Sequence, residues 1–279
     1  MMEGSRDPTA KTQFIQTGTK ICAETVPGMG LGNRMKCLLS VMRICQLSGA
    51  TFGLLWSKDR SVPCGFEDLF DMPVEKLDAP VGDVVYRTWR LWVAPDEIPA
   101  GWARAYPSDD VQGRAIDLEY ERIPQNVRAA YLPHFMRLQP RTEIVRRAQQ
   151  SVSGHFVAVH VRDGNDWSAW GRGVPLENFF TAMDHRPPQT RFFVSAHTPR
   201  TVQMICDRYP GRISHQADKV YAGDIPRRMQ DALTDLLCLA GGTELIGTFG
   251  STFSEMAWWF GGCRQKVEIL RGDMGSFKV

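Results

Sequence analysis

Three short segments carry residue types suited to holding an anionic ligand. The first is Gly28-Met29-Gly30-Leu31-Gly32-Asn33-Arg34. It follows an apolar run, Thr19–Val26, and precedes a stretch of helical period. Backbone N–H groups of such a loop can approach an anion closely, and the following helix adds the positive end of its dipole. A tight connection between strand and helix would use the same residues. A nicotinamide fingerprint needs G-x-G-x-x-G and an acidic residue ending the second strand. Here the third glycine comes one residue early and the second strand ends in Trp56-Ser57. No G-x-x-x-x-G-K-[ST] loop occurs either, so dinucleotide and P-loop readings are set aside.

The second segment is His160-Val161-Arg162-Asp163-Gly164-Asn165-Asp166. Period-two alternation places Phe156, Ala158, His160 and Arg162 on one face of a strand, with Val157, Val159 and Val161 on the other. His160 and Arg162 thus arrive together at the strand's carboxyl end, the edge where open parallel sheets gather ligands. A guanidinium there offers a planar fork of donors to a phosphate. Asp163 and Asp166 could serve as a general base, or could simply close an Asx-turn.

The third segment is Gly250-Ser251-Thr252-Phe253-Ser254. Ser251 or Thr252 can cap the helix that follows, or present hydroxyl and N–H groups to a phosphate.

Taken together, these segments resemble the fucosyltransferase superfamily that includes nodulation-factor, core and protein O-fucosyltransferases. The resemblance rests on G-x-G-N-R at Gly30–Arg34, H-x-R at His160–Arg162, and G-S-x-F-S at Gly250–Ser254 after the helical stretch DALTDLLCLA. It implies a GT-B-like α/β fold, two Rossmann-like domains whose open parallel sheets face a cleft. It also implies metal-independent, inverting transfer from GDP-fucose or a related GDP-sugar, with no cofactor. Gly30, Gly32, Asn33, Arg34, His160, Arg162, Ser251 and Thr252 would then bind the nucleotide sugar. Arg162, Asp163 and Asp166 would be the catalytic candidates, and a glycan or other hydroxyl-bearing molecule the acceptor. Some relatives carry H-x-R-R, whereas Asp163 follows Arg162 here, which leaves sugar and linkage open. A non-catalytic nucleotide-sugar or glycan-binding protein on the same scaffold is the alternative. A phosphate-binding hydrolase is a third, weakened by the lack of a G-x-S-x-G elbow.

The elements that must position these residues alternate as strand and helix. Thr19–Val26, a helix from Asn33 to Gly49 and Ala50–Trp56 make one βαβ unit. Residues 57–125 are poor in signal beyond Val84–Tyr86. Helix returns over Gln125–Gln150, with breaks expected at Pro133 and Pro140. Arg141, Arg146 and Arg147 read there as a solvated face. From Gly154 onward β and α segments alternate, which indicates a second open sheet. The expected division is residues 1–150, on the acceptor side, and 151–279, on the nucleotide-sugar side.

Composition agrees with a globular chain. Its 279 residues are 43% hydrophobic and 23% charged, and 33 basic against 31 acidic residues leave a formal charge of +2. That balance argues against a general nucleic-acid binder. Seven scattered cysteines with no C-x-x-C pair point to free thiols in a reducing compartment. No D-x-D triplet suggests a bound cation. The polar N-terminus and interrupted apolar windows point to a cytoplasmic protein with no membrane span.

Overall fold

The computed structural model describes residues 15–98, 106–107, 113–116, 123–163, 173–223, 225–272 and 276–278. Its first unit runs β1 (Lys20–Glu24), α1 (Leu31–Ser48), β2 (Thr51–Leu55), β3 (Glu75–Lys76) and β4 (Val84–Tyr86). These strands form a parallel sheet in the order β3-β2-β1-β4. Helix α1 follows the expected apolar spacing and buries Met35, Leu38, Leu39 and Met42. It stops at Gly49, whose φ of +72° suits a residue without a Cβ, and whose N–H bonds the Cys45 carbonyl at 2.9 Å.

The signal-poor middle holds β5 (Leu91–Val93), β6 (Tyr106–Pro107) and β7 (Arg114–Ile116), a small antiparallel sheet in the order β5-β7-β6. Its strands of two or three residues are too short to leave a clear alternation in sequence. Two helices follow, α2 (Gln125–Arg137) and α3 (Thr142–Ser151). The break expected at Pro133 does not occur, and α2 runs through it. Pro133 removes the bond to the Ala129 carbonyl. Both residues lie on the exposed face, where water can satisfy that group. The chain does turn around Pro140.

The second unit comprises β8 (Val157–Val161), α4 (Leu176–Asp184), β9 (Phe192–Ala196), α5 (Pro199–Arg208), β10 (Ile213–Ser214), α6 (Pro226–Ala240), β11 (Glu244–Thr248), α7 (Thr252–Phe260), β12 (Lys266–Leu270) and β13 (Ser276–Lys278). The sheet order is β10-β9-β8-β11-β12-β13, parallel except for β13. Strand β8 is buried on both faces, as the alternation requires. Phe156 and Ala158 enter one apolar cluster, and Val157, Val159 and Val161 enter the other.

The first of these clusters is continuous across both units, joining Ile21 and Leu38 to Met256 and Trp259. Helix α7 packs against α1 and α2. Phe135 of α2 stacks on Trp259, with ring centroids 4.8 Å apart. Arg147 is not on a solvated face. It turns inward from α3, bonds Gln216 at 3.0 Å and pairs with the fully buried Asp231 of α6. Arg146 keeps the solvated role and reaches Gln150.

Helix α2 also carries a buried titratable group with a consequence for stability. His134 is 4% exposed, and its Nε2 lies 2.9 Å from Gln46 Oε1 of α1. Burial, helped by the nearby Arg43 and Arg137 cations, pushes its pKa down to about 4. The folded state therefore holds a neutral ring, while the unfolded chain takes up a proton near pH 6.5. This contribution is fully present above that pH and is lost as pH falls toward 4. Each pH unit in that window costs at most about 1.4 kcal/mol. Urea titrations between pH 7 and 4 should show a steeper loss for wild type than for His134→Gln. Parallel curves would show that the ring is not held neutral.

All seven cysteines are free thiols, with Cys22, Cys37, Cys64 and Cys238 buried. Among the described residues no helix is long and apolar enough to cross a membrane.

Candidate functional site

Each of the two larger sheets has a point where its winding reverses, and the candidate residues gather there. In the first sheet it lies between β1 and β4, in the second between β8 and β11. Crevices at the carboxyl ends of such strand pairs are the usual ligand sites of open α/β sheets.

The second crevice is built by one hydroxyl. The β8–β11 ladder pairs Val157 with Glu244 through Val159 with Ile246, whereas β11 follows β12 as far as Thr248 beside Leu270. Thr248 Oγ1 takes over where β8 and β11 part. It donates to the His160 carbonyl at 2.9 Å and accepts the Arg162 N–H at 2.8 Å. Arg162 is thereby fixed at the mouth, half-buried, with one guanidinium nitrogen 3.1 Å from His197 Nδ1 at the end of β9.

His160 points inward beside it. Its Nδ1 lies 2.8 Å from Ser254 Oγ of α7, and its ring is 4.9 Å from that of Phe253. The Thr248 N–H donates to the same Ser254 oxygen at 3.3 Å. Burial first, then the charges of Arg162, Lys219 and His197, hold the imidazole pKa well below its usual value. His160 is thus a neutral, buried group beside Arg162.

The glycine segment and the serine segment meet. Gly32, the second residue of α1, packs so closely on α7 that a Cβ there would lie 3.0 Å from Thr252 Oγ1 and 3.2 Å from Met256 Cγ. Its lack of a side chain serves helix–helix contact. Gly30 has open space around it. The N-termini of α1 and α7 are consequently neighbours, and both end without a side-chain cap. Gly30 cannot supply one, and Ser251, at the N-cap of α7, makes no capping bond. The capping role read from the sequence is not taken up by that serine. Two positive helix ends with undonated N–H groups face the same region. Asn33 lies in the first turn of α1, its Nδ2 3.3 Å from Met29 Sδ and its Oδ1 buried without a hydrogen-bond partner.

Other candidates hold the frame. Arg34 is fully buried and spans two loops. It bonds the Met29 carbonyl at 2.9 Å, the Ser57 carbonyl, and the Asp59 carboxylate at 2.7 Å. Asp59 also accepts the N–H groups of Gly28, Ser61 and Val62. With its donors turned to these partners, Arg34 is a strut for the glycine loop rather than a ligand-facing cation. Asp163 likewise faces the protein. It accepts from the His197 N–H at 2.9 Å, the Thr198 hydroxyl at 2.8 Å, and the Thr201 hydroxyl. Its carboxylate anchors the start of α5 to the end of β8. Asp166 lies outside the described residues.

Three contributors escaped the sequence reading: His197, Thr248 and Lys219. Lys219 Nζ bonds the Ala196 carbonyl at 3.0 Å and Asp235 at 2.6 Å, which ties the end of β9 to α6. Thr248 ends β11 and His197 follows β9, and only the pairing of those strands with β8 reveals their role. Among the described residues no three His, Cys, Asp or Glu side chains are grouped as a metal ion would need.

No protein-family model matches the chain, and no curated protein is similar to it in sequence. Solved structures are similar in fold. The fucosyltransferase NodZ from Bradyrhizobium matches with a TM-score of 0.56 and 16% identity, over 95% of this chain and 99% of that one. NodZ alpha-1,6-fucosyltransferase soaked with GDP-fucose gives 0.58 and 17%, over 94% and 99%. A variant of Arabidopsis thaliana FUT1 in complex with GDP gives 0.58 and 14%, over 96% of this chain and 75% of that one. At these identities the likeness shows a common fold of two Rossmann-like α/β units.

Proposed function

We propose that the chain is a GT-B glycosyltransferase that takes GDP-fucose or a related GDP-sugar and transfers the sugar with inversion and without a metal ion. The observation that carries this reading is the meeting of two uncapped helix N-termini, those of α1 and α7, beside Arg162. Helix ends of like sign repel each other, and an anion between them relieves that repulsion. A diphosphate is long enough to touch both. The fold adds support, since similar structures hold GDP or GDP-fucose.

In this reading the α1 and α7 N–H groups, the Ser251 and Thr252 hydroxyls and Arg162 receive the diphosphate. They stabilise it as charge builds on the leaving group, as preorganised donors do. Asn33 meets a donor hydroxyl through Oδ1, or a phosphate oxygen with its amide reversed. His160, kept neutral, lines the pocket without placing a second full charge beside Arg162.

A thermal-shift series tests this. GDP should raise the melting temperature with EDTA present, and a ligand at about a hundred times its Kd adds about 2.7 kcal/mol. Fucose release from GDP-fucose would then distinguish an enzyme from a binding protein. Loss of the shift in EDTA, or an equal shift with free phosphate, would overturn the proposal.

A further inference from the structure

The two edges of the first sheet differ in kind. At one edge β3 is a pair of charged residues, both ion-paired, Glu75 with Lys20 and Lys76 with Glu67. At the other edge stands β4, and among the described residues no strand pairs with its far side. From Asp83 onward exposure alternates along this segment. Asp83, Val85, Arg87 and Trp89 are exposed, whereas Val84 and Thr88 are half-buried and Tyr86 is buried. Val81, two residues before Asp83, is exposed as well. Val81, Val85 and Trp89 are 53%, 38% and 48% exposed, so one short edge gathers three large apolar side chains.

An unpaired edge is a template for another strand, and proteins usually blunt it with charge. Here the two charges have opposite signs and stand at equal distances from Val85. The order Val81, Asp83, Val85, Arg87, Trp89 is complementary to its own reverse. Two copies paired antiparallel about Val85 would set valine on valine and Asp83 on Arg87 at both ends. Beyond these, Val81 would face Trp89, again twice. Opposite charges directly across a ladder stabilise it, as do aromatic and β-branched pairs, whereas like charges oppose it. Centring the pair on Asp83 or on Arg87 would set like charges face to face. A centre at Val84 or Tyr86 would set a charge against Val85.

The main chain favours the same centre. The Asp83 N–H bonds the Lys20 carbonyl at 2.8 Å, so the odd-numbered residues turn their N–H groups toward β1. Val85 would then meet its copy at a non-hydrogen-bonded position, where facing side chains lie closest. Both charges are also held in place by β1. The Asp83 carboxylate accepts the Lys20 N–H at 2.7 Å, and the Arg87 guanidinium meets Glu24 at 2.6 Å. Little side-chain freedom remains to be lost when a partner arrives.

We propose that β4 is a self-association edge, at which a second copy of this chain pairs antiparallel about a two-fold axis through Val85. The contact is isologous, so each residue pair occurs twice and the assembly closes as a dimer. None of these residues is assigned to the diphosphate, so this proposal and the donor reading stand or fall separately.

Sedimentation velocity of the full chain from about 1 to 100 µM reads the result, a range that reaches weak interfaces. Wild type should pass from monomer toward dimer across it. Asp83→Arg sets cations opposite each other, and Arg87→Asp sets carboxylates opposite each other. Each variant alone should dimerise about tenfold more weakly or worse. Mixed in equal amounts, the two restore opposite charges at both ends and should form a heterodimer with affinity close to wild type. A residue needed only for folding cannot produce that recovery. Val85→Cys, which leaves both charges in place, should form a covalent dimer on mild oxidation, because facing Cα atoms at such a position lie about 4.5 Å apart. The proposal is overturned if wild type stays monomeric, if both charge variants dimerise as wild type does, or if their mixture stays monomeric. A wild-type dimer that Val85→Cys fails to trap would also overturn it, by placing the contact elsewhere.

Discussion

Replacing Lys36 with methionine is expected to cost about 3–5 kcal/mol of folding stability, the usual effect of stranding a buried charge. Lys36 of α1 and Glu255 of α7 are both fully buried and ion-paired. Glu255 also accepts the Trp259 indole N–H at 3.2 Å. In the single variant Glu255 keeps a negative charge inside the shared core of the two units, without its ammonium partner. The double variant Lys36→Met, Glu255→Gln removes both charges and retains an acceptor for Trp259. It should recover most of the loss, because a buried pair adds little net stability over a neutral one of similar shape. Urea denaturation of the four-member cycle gives the coupling directly. A Lys36→Met cost below about 1 kcal/mol would mean that the pair is not sealed from water. The position of the pair adds weight to the result. Lys36 lies one turn beyond Gly32, and Glu255 one turn into α7, so the pair holds in register the two helix ends assigned to the diphosphate.

Most of the elements that position the site were legible in the sequence, for identifiable reasons. Helix α1 and strands β8, β9, β11 and β12 are long, strongly periodic and closed by glycine or proline, so local chemistry defines them. The antiparallel sheet of the middle was not legible, because its strands are formed by pairing across distance. Local pattern also misassigned Pro133, since tolerance of a proline depends on which face meets water. Within the site, His160 and Arg162 were found because alternation puts both at one strand end. The partners of Asp163 and Arg34 could not be read that way. A carboxylate turned toward α5 and a guanidinium turned toward Asp59 have the same sequence signature as groups turned toward a ligand. Gly32 shows the same limit. A glycine beside a phosphate and a glycine beside a second helix are spelled alike, and only the contact with Thr252 and Met256 distinguishes them.

Arg162→Ala is expected to weaken GDP binding by about ten- to a hundredfold. The residue follows β8 where β11 diverges, with its N–H on Thr248 and its guanidinium 3.1 Å from His197. Hydrogen bonds to charged groups contribute about 1.5–3 kcal/mol, and about 1.4 kcal/mol is a factor of ten in affinity. Arg162→Lys should restore only part of this, because an ammonium keeps the charge but loses the planar fork. The fold should be unaffected. Its backbone N–H, bonded to Thr248, is a scaffold contact that alanine keeps. Thr248→Val separates the two contributions. It removes the oxygen that fixes both the His160 carbonyl and the Arg162 N–H, so it should lower the melting temperature as well as GDP affinity. Calorimetry at matched ionic strength decides the matter, since screened long-range attraction must not be mistaken for a direct contact. Wild-type affinity in Arg162→Ala would take this arginine out of the anion site. The two helix ends would then have to hold the diphosphate without a side-chain charge from β8.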